Sequence, residues 1–210
     1  MEENIVPFNP LDKRNLGRSV AQEMLRRPAI PISELSRFKG AGIYALYYSG
    51  DFPCYKPIAK KNAGDSLVAP IYVGKSVPKG SRIGGDLESP PGTVLYSRLV
   101  QHRRSIEEAE NLAVEDFTCR FLVVEDIWIP LGEALLIAMC TPLWNNLLHG
   151  FGNHDPGRGR HAGERSRWDV LHPGRPWADK LQSRDESAVQ LEREMSDFLR
   201  NNPPPDSLQV

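Results

Sequence analysis

The sequence predicts an α+β domain whose core runs strand, strand, helix, strand, helix. Three observations carry that expectation. Gly42-Ile43-Tyr44-Ala45-Leu46-Tyr47-Tyr48 and Ile71-Tyr72-Val73-Gly74 have the aromatic and β-branched composition of buried strands. Residues 94–113 place Leu95, Leu99, Ile106 and Ala109 at helical spacing. Ile129-Pro130 opens an apolar run that continues through Cys140 and ends at Thr141-Pro142, with proline at the position a first helical turn tolerates.

Taken in order, residues 11–27 read as an amphipathic helix with Leu16, Val20, Met24 and Leu25 near one face, ended by Pro28 and Pro31. It forms the body of an N-terminal arm, residues 1–39. Ser33 to Ser36 suit a short helical turn. Between the first two strands, residues 49–70 hold three prolines and two glycines, which is long for a hairpin loop and suggests a projection that carries function. Gly92-Thr93 offers an N-cap to the helix that follows. Residues 117–124 make the third strand, which completes a core spanning 40–146 with its insertion at 49–70. Past Asn146 the composition changes. Residues 150–176 contain six glycines and scattered apolar positions, the pattern of a loop, and a polar helix at about 183–200 precedes a Pro203-Pro204-Pro205 tail. Residues 147–210 are therefore expected to be an extension made of an arginine-rich loop and a C-terminal helix.

The length of 210 residues favours one domain. Cys54, Cys119 and Cys140 lie far apart, against both a disulfide framework and a zinc ribbon. No stretch has spanning length and the first residues lack a leader pattern, so a soluble, cytoplasmic protein without membrane contact is expected. The net charge of -1 argues at first against a nucleic-acid partner, whose phosphates are neutralised by Lys and Arg. The charge is segregated, however. Residues 75–104 carry six bases against Asp86 and Glu88, and residues 158–175 carry five arginines against Glu164 and Asp169. Residues 107–126 hold seven acids against Arg120 alone.

Hydrolysis of a phosphodiester needs an activated water, a counter-charge for the phosphoryl oxygens and help for the leaving alkoxide. Tyr44 and Tyr72 sit on neighbouring strands, and an antiparallel hairpin brings both phenols to one face; simple packing of strand tyrosines is the alternative. Arg98 and His102 are four apart and project from one side of their helix. Arg98 suits a phosphate clamp. His102 falls within the stripe of Leu95, Leu99 and Ile106, so its ring faces the sheet, as a proton-relay group or a core histidine. Glu133 is the sole acid of its helix, expected in the first turn, where it either caps the helix or holds Mg²⁺ through one carboxylate. Asn145, just past that helix, suits a phosphate or metal-bound water, or ends the helix in a left-handed conformation.

The order Gly42-Ile43-Tyr44, Tyr72-Val73-Gly74, Arg98 with His102, Glu133, Asn145 resembles the GIY-YIG nuclease superfamily over about residues 40–146. That resemblance implies a small antiparallel sheet flanked by helices and metal-dependent cutting of DNA, with Mg²⁺ or Mn²⁺ at Glu133. The long separation of Tyr44 from Tyr72 departs from the usual short connection. The insertion, His102 and the Asp155-Pro156-Gly157 and Trp168-Asp169-Val170-Leu171-His172-Pro173-Gly174-Arg175 segments are similar to the small type II restriction enzymes of the superfamily that cut GC-rich palindromes such as CCGCGG. A homodimer on double-stranded DNA is then implied. Tyr44, its proton drawn toward His102, is expected to be the general base, with Tyr72 orienting the water and Arg98 or the metal depressing the phenol's pKa. Lys75, Lys79, Arg82, Arg104, Arg158, Arg160, Arg165, Arg167 and Arg175 are the expected DNA contacts, since arginine reads guanine edges.

Rival readings are weaker. Gly74-Lys75-Ser76 lacks the earlier glycine of a P-loop, where Ala69 stands. The spacing of the histidines fits no common zinc site. A repair or mobile-element nuclease of the same superfamily, normally a module in a longer chain, is the alternative within the class. A non-catalytic DNA-binding protein of the same fold is the alternative outside it.

Overall fold

The chain runs α1 (Lys13–Arg26), β1 (Ile30–Pro31), β2 (Gly42–Tyr48), α2 (Lys56–Lys61), β3 (Pro70–Ser76), α3 (Val94–Glu107), β4 (Phe117–Val123), α4 (Ile129–Cys140), α5 (Leu143–Asn146), α6 (Arg167–Leu171) and α7 (Ala188–Asn201) in a computed structural model that describes residues 9, 11–64, 66–78 and 91–207. The sheet is antiparallel throughout, in the order β1-β4-β2-β3. β2 lies between two partners and is buried along its whole length, which explains its run of large apolar and aromatic residues.

Alternation along β2 divides the interior into two cores. Tyr44, Leu46 and Tyr48 belong to one, with Leu95, Leu99 and Ile106 of α3, Trp144 of α5 and Trp168 of α6. Ile43, Ala45 and Tyr47 belong to the other, with Ala21 and Met24 of α1 and Ile129 and Leu136 of α4. The expected N-terminal arm is therefore a layer of the structure: Gly17, Ala21 and Met24 are buried. A side chain at Gly132 would strike Val20, so small residues let α1 and α4 approach closely.

Several expectations are corrected. Residues 49–70 do not project: Tyr55 and Ile58 are buried, and Asn62 seals the segment by donating to the Tyr48 and Ala69 carbonyls and accepting from the Ala69 amide, each at 2.9 Å. Thr93 occupies the N-cap position of α3 without making a side-chain cap, its hydroxyl lying 3.4 Å from that of Ser97 instead. α3 stops at Glu107 because the Glu110 amide turns away to the Pro173 carbonyl at 2.8 Å. Residues 150–176 are not a solvated loop throughout; Phe151, Trp168, Leu171 and Arg175 are buried. α7 begins with a reciprocal cap between Ser187 and Gln190 and buries Leu191, Met195 and Leu199. No described helix is long and apolar enough to cross a membrane.

Candidate active site

β3 is an edge strand, and its open side is where the residues of interest gather. Opposite Ala45 in the β2 pairing, Val73 donates its amide to Asn145 Oδ1 at 2.8 Å and accepts from Asn145 Nδ2 at 2.7 Å through its carbonyl. One side-chain amide thus replaces a missing strand partner. Of the two readings of Asn145, the left-handed helix end is corrected: Thr141 is the left-handed residue after α4, with φ 43°, and Asn145 is within α5.

Tyr44 pairs with Gly74 and Tyr72 with Leu46, so the phenols are diagonal neighbours on one face with ring centroids 6.2 Å apart. Glycine at 74 is required by the same register, because a side chain there would overlap the Tyr44 hydroxyl. His102 points inward from α3 and its Nε2 lies 2.5 Å from Tyr44 Oη, the ring stacked on Phe151 at 4.4 Å between centroids. One turn earlier, Arg98 is half-buried; its Nη1 donates to His154 Nε2 at 2.7 Å and its Nη2 to the Gly152 carbonyl at 3.1 Å. His154 is therefore neutral, with its proton on Nδ1.

Burial holds the Tyr44 phenol well above its usual range, reinforced by the neighbouring Tyr72 and opposed by the Arg98 charge. Arg98 alone therefore does not depress the phenol as expected: desolvation outweighs it, and Tyr44 is a protonated phenol in the protein alone. Tyr72 is raised chiefly by burial as well. Burial, with Arg98 next, pushes His102 well below its ordinary value, so the imidazole is neutral, its Nε2 lying against the Tyr44 hydroxyl.

Glu133 approaches the same edge from α4, on the far layer, and its carboxylate pairs with Lys75 of β3. It is past the first turn of α4, which holds no acid, so helix capping is not its role. It is 17 % exposed at its side chain, and its charge reaches both phenols, raising each. Among the described residues no group of three or more His, Cys, Asp or Glu converges. Glu133 offers one half-buried carboxylate, which would suit Mg²⁺, with most of its shell from water and phosphate oxygen, better than zinc, provided Lys75 gives way.

The expected DNA contacts separate. Arg104 and Arg160 are exposed, and Lys75 is exposed with its ammonium paired to Glu133. Lys79 and Arg82 lie outside the described residues, as does the side chain of Arg158. Arg165 is paired with Asp179 at 3.1 Å, and Arg167 with Glu186 at 3.1 Å and with Glu194, so their charge is already met within the chain. Arg175 is corrected outright: it is fully buried, bound to Asp169 at 2.6 Å, and has no surface to offer DNA.

A sheet of this order, carrying paired phenols on its central and edge strands with an Arg-His helix laid over them, defines a GIY-YIG-type nuclease domain. A family model described as the Eco29kI GIY-YIG domain matches residues 36–199, and the chain belongs to that family, a GIY-YIG nuclease of the restriction type. The match continues past Asn145 through α6 and into α7. No curated protein matches the chain.

Phe151, Gly152 and His154 belong to no motif of the sequence, yet all three touch Arg98 or His102. No spacing could have found them, because they reach α3 through a turn some fifty residues away in the chain.

Proposed function

We propose that the protein is a homodimeric, sequence-specific type II restriction endonuclease of the cytoplasm that hydrolyses double-stranded DNA at a GC-rich palindrome such as CCGCGG, using one Mg²⁺ or Mn²⁺ per site. The observation that carries the chemistry is the buried contact of 2.5 Å between Tyr44 Oη and His102 Nε2. Tyr44 is the general base by relay: as its own proton passes to the neutral His102 Nε2, its oxygen takes a proton from the attacking water, whose oxygen bonds to phosphorus. The 3′ oxygen departs with the bonding pair. An imidazolium buried beside Arg98 is costly in the free protein, and the negative scissile phosphate on Arg98 offsets that cost, so the relay operates when DNA is bound. Tyr72 orients the water, and Asn145 holds β3 and with it Tyr72. Glu133 is the residue to hold the divalent ion, which supplies Lewis-acid stabilisation of the leaving oxygen when bound. Lys75, Lys79, Arg82, Arg104, Arg158 and Arg160 contact the DNA. Two-fold symmetry of a dimer matches a palindrome, each subunit cutting one strand.

Single-turnover cleavage of plasmid DNA, with and without Mg²⁺, tests the reading. Discrete limit fragments that require the metal are expected, and sequencing their ends identifies the site. Tyr44→Phe should slow cutting by about 10²- to 10⁴-fold, and Glu133→Ala should abolish it. Near-normal cutting by Tyr44→Phe would remove the phenol from the role of base and leave His102 acting directly.

A further inference from the structure

Arg175 is the centre of a buried assembly that the chemistry above does not use. Its guanidinium lies between the Trp168 and Trp177 rings, 4.5 and 4.6 Å from their centroids. Its Nε donates to Asp169 Oδ1 at 2.6 Å. The remaining donors collect the carbonyls of one turn: Phe151 at 3.0 Å, Gly150 at 3.0 Å and Asn153 at 3.4 Å, with Ser105 Oγ of α3 at 3.5 Å. Asp169 in turn is 1 % exposed and accepts from the Ser166 hydroxyl at 2.6 Å. Ion pairs removed from water this completely contribute little net stability, yet they impose a single geometry when every donor is satisfied.

The turn so held is the one that meets the active-site helix. Phe151 stacks on His102 with ring planes 14° apart. Gly152 accepts from Arg98, and a side chain at 152 would crowd both the Arg98 guanidinium and the Tyr72 hydroxyl. His154 follows, on the other nitrogen of Arg98. We propose that Arg175 is a positioning residue of the nuclease site: from beneath the 150–153 turn it fixes Phe151 against the His102 ring and sets Gly152 and His154 on the Arg98 guanidinium, before DNA arrives. The Trp168-to-Arg175 segment then serves the reacting centre from inside and does not read bases. A planar fork is needed for this, because three carbonyls and a carboxylate are bonded in one plane; lysine supplies the charge without the fork.

The proposal rests on the reading of the site as a nuclease centre, so its test has one arm that needs no catalysis. In protein carrying ¹³C-labelled histidine, the His102 ring C–H signals, identified by their loss in His102→Gln, are shifted by the ring current of the stacked Phe151. Arg175→Lys should move those signals, slow single-turnover cleavage by about 10- to 100-fold, as expected for a small misplacement of reacting groups, and leave the DNA dissociation constant measured in Ca²⁺ unchanged. Asp169→Asn, which keeps an oxygen for Arg175 Nε and removes the charge, replaces Arg175→Lys if that variant fails to fold, with the same expected direction. Unmoved His102 signals in a folded variant overturn the proposal. So does weakened DNA binding with unchanged cleavage at saturation, which would make Arg175 a DNA contact, or unfolding of both variants, which would make the pair a plain stabilising element. Failure of the wild-type protein to cut DNA would fell the proposed function while the His102 signals still decide the positioning.

Discussion

At the scale of single residues, hydrogen-bond directions can be read through a second buried tyrosine–histidine pair. Trp144 Nε1, which can only donate, reaches Tyr55 Oη at 2.9 Å, so the Tyr55 proton is directed at His172 Nε2, 2.5 Å away. His172 is then protonated on Nδ1 and donates to Asn111 Oδ1 at 2.7 Å, and Asn111 Nδ2 donates to the Leu171 carbonyl at 2.9 Å. Every member of this chain is satisfied, which is the condition under which a buried polar network stabilises a fold. Tyr55→Phe leaves the Trp144 N–H and the His172 Nε2 without partners, at about 1–3 kcal/mol each. A lowered urea midpoint with unchanged slope is expected; an unchanged midpoint would mean the network is not holding the insertion to α5 and α6.

Among elements, the edge strand β3 is the vulnerable one. Its inner side is paired to β2, and its outer side depends at Val73 on the Asn145 amide of α5. Tyr72 and Gly74, on either side of Val73, are the residues that meet Tyr44 and Arg98. Loosening that anchor should therefore disturb the site before it disturbs the core. For Asn145→Ala, amide hydrogen exchange at Val73 should accelerate while amides of β2 keep their protection, and cleavage should fall by about 10-fold or more. Equal acceleration across β2 and β3 would instead mark Asn145 as a global stabiliser.

For the molecule as a whole, the two buried histidines set an acid limit. Burial, followed by the Arg175 charge, brings His172 down from 6.5 to about 3, and burial lowers His102 in the same direction. Both are neutral when folded and take up a proton on unfolding once the pH drops below about 6.5, so the unfolded state binds more protons there and stability falls with falling pH. Their contribution is complete above that value and is lost progressively toward pH 3, with a slope approaching about 2.7 kcal/mol per pH unit for two protons. Urea unfolding between pH 7.5 and 5 should show it, and His172→Gln should roughly halve the histidine part of the slope. A slope untouched by that substitution would place the acid sensitivity in the carboxylates.

The sequence by itself determined the core elements and the family. Aromatic and β-branched composition placed β2, and proline at the first helical position placed α4, at their observed starts; four-residue spacing put Arg98 and His102 on one face, because side-chain direction along a helix is local geometry. The motif order also led to the family. Tertiary structure alone decided what the arginines and the long segments do. Arg160 and Arg175 look alike in a glycine-rich stretch, yet one is exposed and the other is sealed between two tryptophans, because burial depends on which distant surfaces a loop meets. The same holds for residues 49–70, folded inward by Asn62, and for Tyr44, whose pKa is raised because the packing of His102 of α3 and Tyr72 of β3 around it leaves it buried from water. Local rules assign direction; only packing between residues far apart in the chain assigns solvent, and solvent sets charge.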